Sequence, residues 1–66
     1  MSGFHDRYIA RPEVEEVLGL SRSTIYKLLA DNDFPPPTRL IGRSVRWRLS
    51  EIMIWADNKR KAQTPD

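Results

Sequence analysis

The stretch Gly19-Leu20-Ser21-Arg22-Ser23-Thr24-Ile25-Tyr26-Lys27-Leu28-Leu29-Ala30 decides the fold. Ser21 is a good helix N-cap, because its hydroxyl accepts from a free first-turn N–H. Ile25, Leu28 and Leu29 follow at i, i+3, i+4, which gives one apolar stripe on a helix ending near Ala30 or Asp31. Ser23, Lys27 and Ala30 fall opposite Ile25, with Arg22, Thr24 and Tyr26 flanking them.

Working toward the amino end, Gly19 is a natural stop for a preceding helix, since it takes the left-handed conformation without penalty. That helix reads from about Arg11 to Leu18. Pro12 suits its first turn, where the missing N–H costs nothing, and Glu13, Glu15 and Glu16 complement the positive end of its dipole. Val14, Val17 and Leu18 form its apolar stripe. Two short amphipathic helices with so tight a glycine-containing join are a helix-turn-helix. Tyr8-Ile9 reads as a very short strand, and residues 1–7 as a flexible segment that includes His5.

Working toward the carboxyl end, Pro35, Pro36 and Pro37 stiffen an extended segment. Phe34 before them is expected to fold back as an apolar plug. Thr38 to Leu49 reads as a β-hairpin around a Gly42-Arg43 turn, with glycine supplying positive φ. This register pairs Ile41 with Ser44, Leu40 with Val45, Arg39 with Arg46 and Thr38 with Trp47. Leu40, Val45, Trp47 and Leu49 then face the core; Arg39, Ile41, Ser44, Arg46 and Arg48 face outward. Ser50 is expected to cap a third helix whose core stripe is Ile52, Trp55 and Ala56, and residues 61–66 read as a tail. The chain is thus mainly α with a small β-hairpin, one domain over 8–60.

Sixty-six residues leave no room for a second core. Cysteine is absent and His5 is the sole histidine, which excludes the usual structural zinc sites and any disulfide. No apolar run is long enough to span a bilayer, and no amino-terminal segment resembles a signal peptide. The expected place is the cytoplasm, in association with the nucleoid. No nucleophile–base pairing or glycine-rich phosphate cradle is present, so no enzyme and no cofactor is expected.

The formal net charge is only +2, and its distribution is more informative. Residues 1–20 sum to −2, whereas 21–38 and 49–66 each balance. Residues 39–48 carry Arg39, Arg43, Arg46 and Arg48 with no acid. Arg39 facing Arg46 would cost stability in the free protein. A polyanion laid on that face would turn the repulsion into attraction, with release of condensed counterions.

The second constellation is the outer face of the second helix: Ser21, Arg22, Ser23, Thr24, Tyr26 and Lys27. Such a helix enters the DNA major groove amino end first. Arg22 can be bidentate to guanine or hold a phosphate, and Tyr26 and Lys27 suit the backbone. Ser21 reads equally as a cap alone, Thr24 as packing on the first helix, and Tyr26 as a cover for the core edge. Trp47 and Trp55 could stack bases, but both lie on expected inner faces and read as core. Ile54 lies off the core stripe, either as a contact to a partner or second copy or as an ordinary exposed residue.

The phrase Gly19-Leu20-Ser21-Arg22-Ser23-Thr24-Ile25-Tyr26-Lys27 resembles that of the AlpA-type family of small phage and prophage regulators, related to excisionases and to the DNA-binding part of MerR-like proteins. Phe34-Pro35-Pro36-Pro37, Gly42-Arg43, Val45 and Trp47 resemble its wing, and Ser50-Glu51-Ile52 with Trp55 its last helix. Ile41 departs from the pattern, standing where the family often has another glycine. The resemblance implies a winged helix-turn-helix that binds double-stranded DNA, with the second helix in the major groove and the wing on the backbone or in the minor groove. Its implied DNA-contact set is Ser21, Arg22, Ser23, Tyr26 and Lys27 on the helix and Arg43, Arg46 and Arg48 on the wing; Thr24, Arg39 and Ser44 join from the face patterns above.

The role it implies is transcriptional regulation of mobile-element genes, or DNA bending for an integrase as an excisionase. The matching protein partners are an integrase or RNA polymerase, together with self-association on DNA repeats. A reading from another class is a protein-interaction adaptor whose arginine face grips an acidic protein.

Overall fold

The computed structural model describes residues 6–63. The element order is β1 (Tyr8–Ile9), α1 (Arg11–Leu18), α2 (Arg22–Ala30), β2 (Thr38–Ile41), β3 (Ser44–Arg48) and α3 (Leu49–Gln63). The strands form an antiparallel sheet in the order β1-β3-β2. Helices α1 and α2 make the helix-turn-helix and the β2–β3 hairpin is the wing, so the fold is a winged helix-turn-helix.

The ends of α1 and α2 follow from local chemistry. Gly19 takes φ 69° and its N–H donates to the Glu15 carbonyl at 2.7 Å, closing α1. Ser21 Oγ accepts from the Thr24 N–H at 3.2 Å, opening α2. At the far end of α2, Asn32 takes φ 58° and the Asp33 N–H donates back to the Leu28 carbonyl at 2.8 Å. This is the glycine-type helix stop, built on asparagine.

The core draws one buried side chain from nearly every element. Ile9 comes from β1, Val14 from α1, Ile25 from α2, Trp47 from β3 and Ile52 from α3, and Phe34 from the loop between α2 and β2. Phe34 is the expected plug: its ring stands edge-on to Trp47 at 6.2 Å and to Trp55 at 4.8 Å between centroids. The indole N–H of Trp47 donates to the Pro35 carbonyl and that of Trp55 to the Asp33 carbonyl, both at 2.8 Å. Lys59 Nζ reaches both Asp33 carboxylate oxygens at 2.7 and 2.8 Å. The loop leading into the wing is therefore held to β3 and α3. Strand β2 contributes nothing buried; all four of its residues are exposed.

Several expectations are corrected. Val17 is 42% exposed, outside the core that Val14 and Leu18 join. Helix α3 begins at Leu49 and runs to Gln63, into the segment expected as tail. Asp6 and Arg7 are tied to the domain, Asp6 accepting from the Ser50 N–H and the Arg7 carbonyl from the Leu49 N–H; His5 and residues 64–66 lie outside the described residues.

The wing register differs most. Ile41 pairs with Ser44 as expected, but Arg39 pairs with Val45 and Thr38 with Arg46. Leu40 is the extra residue of a bulge and is 47% exposed, so it does not face the core opposite Val45. The facing Arg39–Arg46 pair does not form. One inserted residue moves Arg39 off the position opposite Arg46, where like charges would repel, and increases the local twist.

Candidate nucleic-acid interface

The first half of the site is the outer face of α2. Ser21, Arg22, Ser23, Thr24, Tyr26 and Lys27 are all exposed, while Ile25 beneath them is fully buried. The 3.6-residue period thus divides α2 cleanly into a core side and a free side. The Ser21 and Thr24 hydroxyls lie 3.0 Å apart, so the Ser21 side chain has a structural partner as well as an exposed position. The Arg22 and Ser23 N–H groups have no acceptor among the described residues, which leaves the amino end of α2 open to an anion.

Arg22 is pre-positioned. Its guanidinium carbon lies 5.4 Å from the centre of the Tyr26 ring, one turn along α2. On the other side, Arg11 of α1 donates to Glu15 at 2.9 Å. Glu15 first, and then the Tyr26 hydroxyl, raise the affinity of Arg11 for its proton.

The second half is the wing. Gly42 takes φ 52° while Arg43 does not, the φ pattern of a type II′ hairpin turn. Arg39, Arg43 and Ser44 are exposed and Arg46 half-buried, with one Arg46 guanidinium nitrogen donating to the Val45 carbonyl at 2.9 Å. Among the described residues none of Arg39, Arg43 and Arg46 has a carboxylate partner. Arg22 and Lys27 likewise have none.

Arg48 is different. It pairs with Asp6 at 2.6 Å, and Asp6 also accepts from the Ser50 N–H at 2.8 Å and the Ser50 hydroxyl at 2.9 Å. The Ser50 N–H bond first, and then the Ser50 hydroxyl and Arg48, hold the Asp6 carboxyl below the usual carboxylate range; partial desolvation opposes them. Asp6 in turn raises Arg48. Among the described residues, three of the four wing arginines thus have no carboxylate partner, and the fourth is balanced by Asp6.

The sequence reading missed Asp6. The helix-three cap is not Ser50 but this remote carboxylate, delivered because β1 pairs with β3 through Tyr8–Arg48 and Ile9–Trp47. The available signal was the short strand itself, since placing Tyr8-Ile9 beside β3 puts residue 6 at the start of the following helix. Trp47 is buried at 3% exposure and Trp55 half-buried, so both serve packing rather than an open stacking surface. Ile54 is 61% exposed, as expected.

No group of three or more His, Cys, Asp or Glu side chains among the described residues could hold a metal ion. No described helix is long and apolar enough to cross a membrane.

The family model described as prophage CP4-57 regulatory protein (AlpA) matches residues 7–60, from the edge of β1 through most of α3. A protein of Enterobacteria phage P4, described as uncharacterized protein ORF88, is 46% identical over 50 residues, which is 76% of this chain and 57% of that protein. The chain therefore spans a little over half the length of this relative.

Proposed function

The chain belongs to the AlpA family of prophage regulatory proteins, and on that premise we propose that it is a sequence-specific double-stranded DNA-binding transcriptional regulator. One observation carries the reading: an exposed, acid-free recognition face on α2 stands in the same small fold as a wing whose Arg39, Arg43 and Arg46 have no carboxylate partner among the described residues. Helix α2 enters the major groove, where Arg22 reads base edges and Ser21, Ser23, Thr24, Tyr26 and Lys27 set its depth and register against the phosphates. Arg39, Arg43 and Arg46, with Ser44, grip the backbone beside it, and Arg48 joins them by exchanging Asp6 for a phosphate. The protein works by binding, without catalysis, on the cytoplasmic nucleoid. RNA polymerase is the partner that fits a regulator.

An excisionase that assists an integrase is the second reading. The observation on its side is the exposed apolar wing tip, Leu40 and Ile41, which suits a protein that deforms DNA.

Selection of bound duplexes from a random pool tests the DNA reading, followed by affinity against salt concentration. A defined motif and a salt slope of roughly −0.9 for each neutralised phosphate are expected. Arg22→Ala should change base preference as well as affinity, whereas Arg46→Ala should weaken binding to all duplexes. A slope near zero with no enriched motif would overturn it in favour of a protein-binding adaptor. An excision assay with closely spaced sites separates the two DNA roles.

A further inference from the structure

The wing tip carries apolar surface that the fold does not use. Ile41 is 79% exposed, the highest value among the exposed large apolar residues, and Leu40 beside it is 47% exposed. Neither belongs to the core cluster or to the apolar residues packed on it, although Val45 of the partner strand does. The reason is geometric: the bulge at Leu40 takes β2 out of simple alternation, and Ile41 pairs with Ser44 directly before the Gly42-Arg43 turn. The sequence Arg39-Leu40-Ile41-Gly42-Arg43 thus places two apolar side chains between two arginines that have no acidic partner among the described residues.

This combination has a specific complement. Apolar surface flanked by cations fits a ligand that is apolar within and anionic at its edges. The stacked bases of a duplex, seen from the minor groove between two phosphate rails, are such a ligand. A hairpin tip presents its apolar residues at its end, and arginines on either side of it fall where the two phosphate rails run.

Resting on the DNA-binding reading above, we propose that Ile41 is an apolar wedge. It enters the minor groove beside the site of α2 and partly unstacks a base step, with Leu40 covering the sugars and Arg39 and Arg43 holding the flanking phosphates. The consequence is a kink toward the major groove, in the range of roughly 20–90° known for such wedges. Flexible pyrimidine–purine steps would be favoured at that position without any base-edge hydrogen bond from the wing.

The test uses the tightest-binding duplex from the random pool, remade with donor and acceptor dyes at its ends and 2-aminopurine at successive flanking positions. The wild-type protein should shorten the end-to-end distance and brighten 2-aminopurine at one flanking step. Ile41→Ser should still bind with an unchanged salt slope, lose about half the bend or more, and leave the 2-aminopurine quenched. Ile41→Leu should restore both signals, and unchanged circular dichroism would show that each variant folds. Wild-type binding without bending, or equal bending by Ile41→Ser, would overturn the wedge while leaving the DNA reading intact. Loss of a concentration-dependent multimer in Ile41→Ser with the bend unchanged would overturn it too, assigning the tip to contact between copies. Absence of any duplex binding would overturn the underlying reading and the wedge with it.

Discussion

The Asp6 carboxylate caps helix α3 by accepting the Ser50 backbone N–H at 2.8 Å across 44 positions of sequence. A helix start leaves several N–H groups without partners, and the usual remedy is a side chain next to them in sequence. Here the β1–β3 pairing brings a remote carboxylate to the spot, and the Leu49 N–H donates to the Arg7 carbonyl at 2.8 Å in the same join. One anion thereby anchors the amino-terminal segment, opens α3 and balances Arg48.

This anchor makes stability dependent on acid. The folded pKa of Asp6 lies below its unfolded value, held there chiefly by the Ser50 N–H. Its contribution is therefore fully present above the unfolded pKa and is lost as pH falls through the folded one. Glu13, lowered by Arg7, and Asp57, lowered first by Arg60 and then by Lys61, act with the same sign. The thermal midpoint should be flat around neutrality and fall below about pH 4. Asp6→Ala should lower the neutral-pH midpoint by roughly 5 °C and blunt the acid limb. Asp6→Asn, which can still accept from Ser50, should lose less at neutral pH. Thermal melts followed by circular dichroism across pH check all three.

Arg48 and Arg43 should separate in a binding experiment. Arg43 carries no internal partner among the described residues, so Arg43→Ala should reduce the magnitude of the salt slope by about 0.9 without moving the melting midpoint. Arg48→Ala should lower the midpoint, because it breaks the pair with Asp6. It should change the slope less, because a phosphate would have to displace Asp6 to reach Arg48. Fluorescence anisotropy over a salt series, run beside thermal melts, distinguishes them.

Tyr26 should act through Arg22. The Arg22 guanidinium carbon lies 5.4 Å from the centre of the Tyr26 ring. Tyr26→Phe keeps the ring and should preserve the base preference found by selection. Tyr26→Ala should relax preference at the position proposed for Arg22 and cost about threefold in affinity, the scale of an exposed cation–π contact. Equal motifs from the wild type and Tyr26→Ala would remove this role.

Truncating Phe34 should be among the most costly single changes. It is buried at 7% exposure between two tryptophans, in the loop whose carbonyls those same tryptophans bind. Phe34→Ala should cost about 3–5 kcal/mol, comparable with the whole stability of so small a domain. The chain should then be largely unfolded at room temperature, with red-shifted tryptophan emission. Phe34→Leu fills more of the space and should stay folded with a lower urea midpoint.

The helix-turn-helix was legible almost residue by residue. Gly19 and Ser21 mark the join through chemistry that acts within one turn, and the helix ends fall within a residue or so of their predicted places. The wing was legible as a hairpin with its turn at Gly42-Arg43 but not in its register. Alternation assumes equal residue counts on both strands, and nothing in the pattern Arg39-Leu40-Ile41 marks an extra residue. Val17 met the helical period yet stayed exposed, because a stripe becomes core only where another element covers it. The four wing arginines read as equivalent in sequence and divide in three dimensions, since Asp6 reaches only Arg48.

Local chemistry along the chain therefore set the helices, their join, the hairpin turn and the +4 segment between Arg39 and Arg48. Those features rest on backbone preferences, caps and composition that operate within a few residues. Tertiary structure decided what the elements do to one another: the carboxylate over α3, the bulge that parts Arg39 from Arg46, and the tryptophan N–H groups that hold the loop before the wing. Each depends on groups separated by 12 or more positions, or on a register chosen by packing and charge. Distance along the chain carries no record of such encounters until the core brings the groups together.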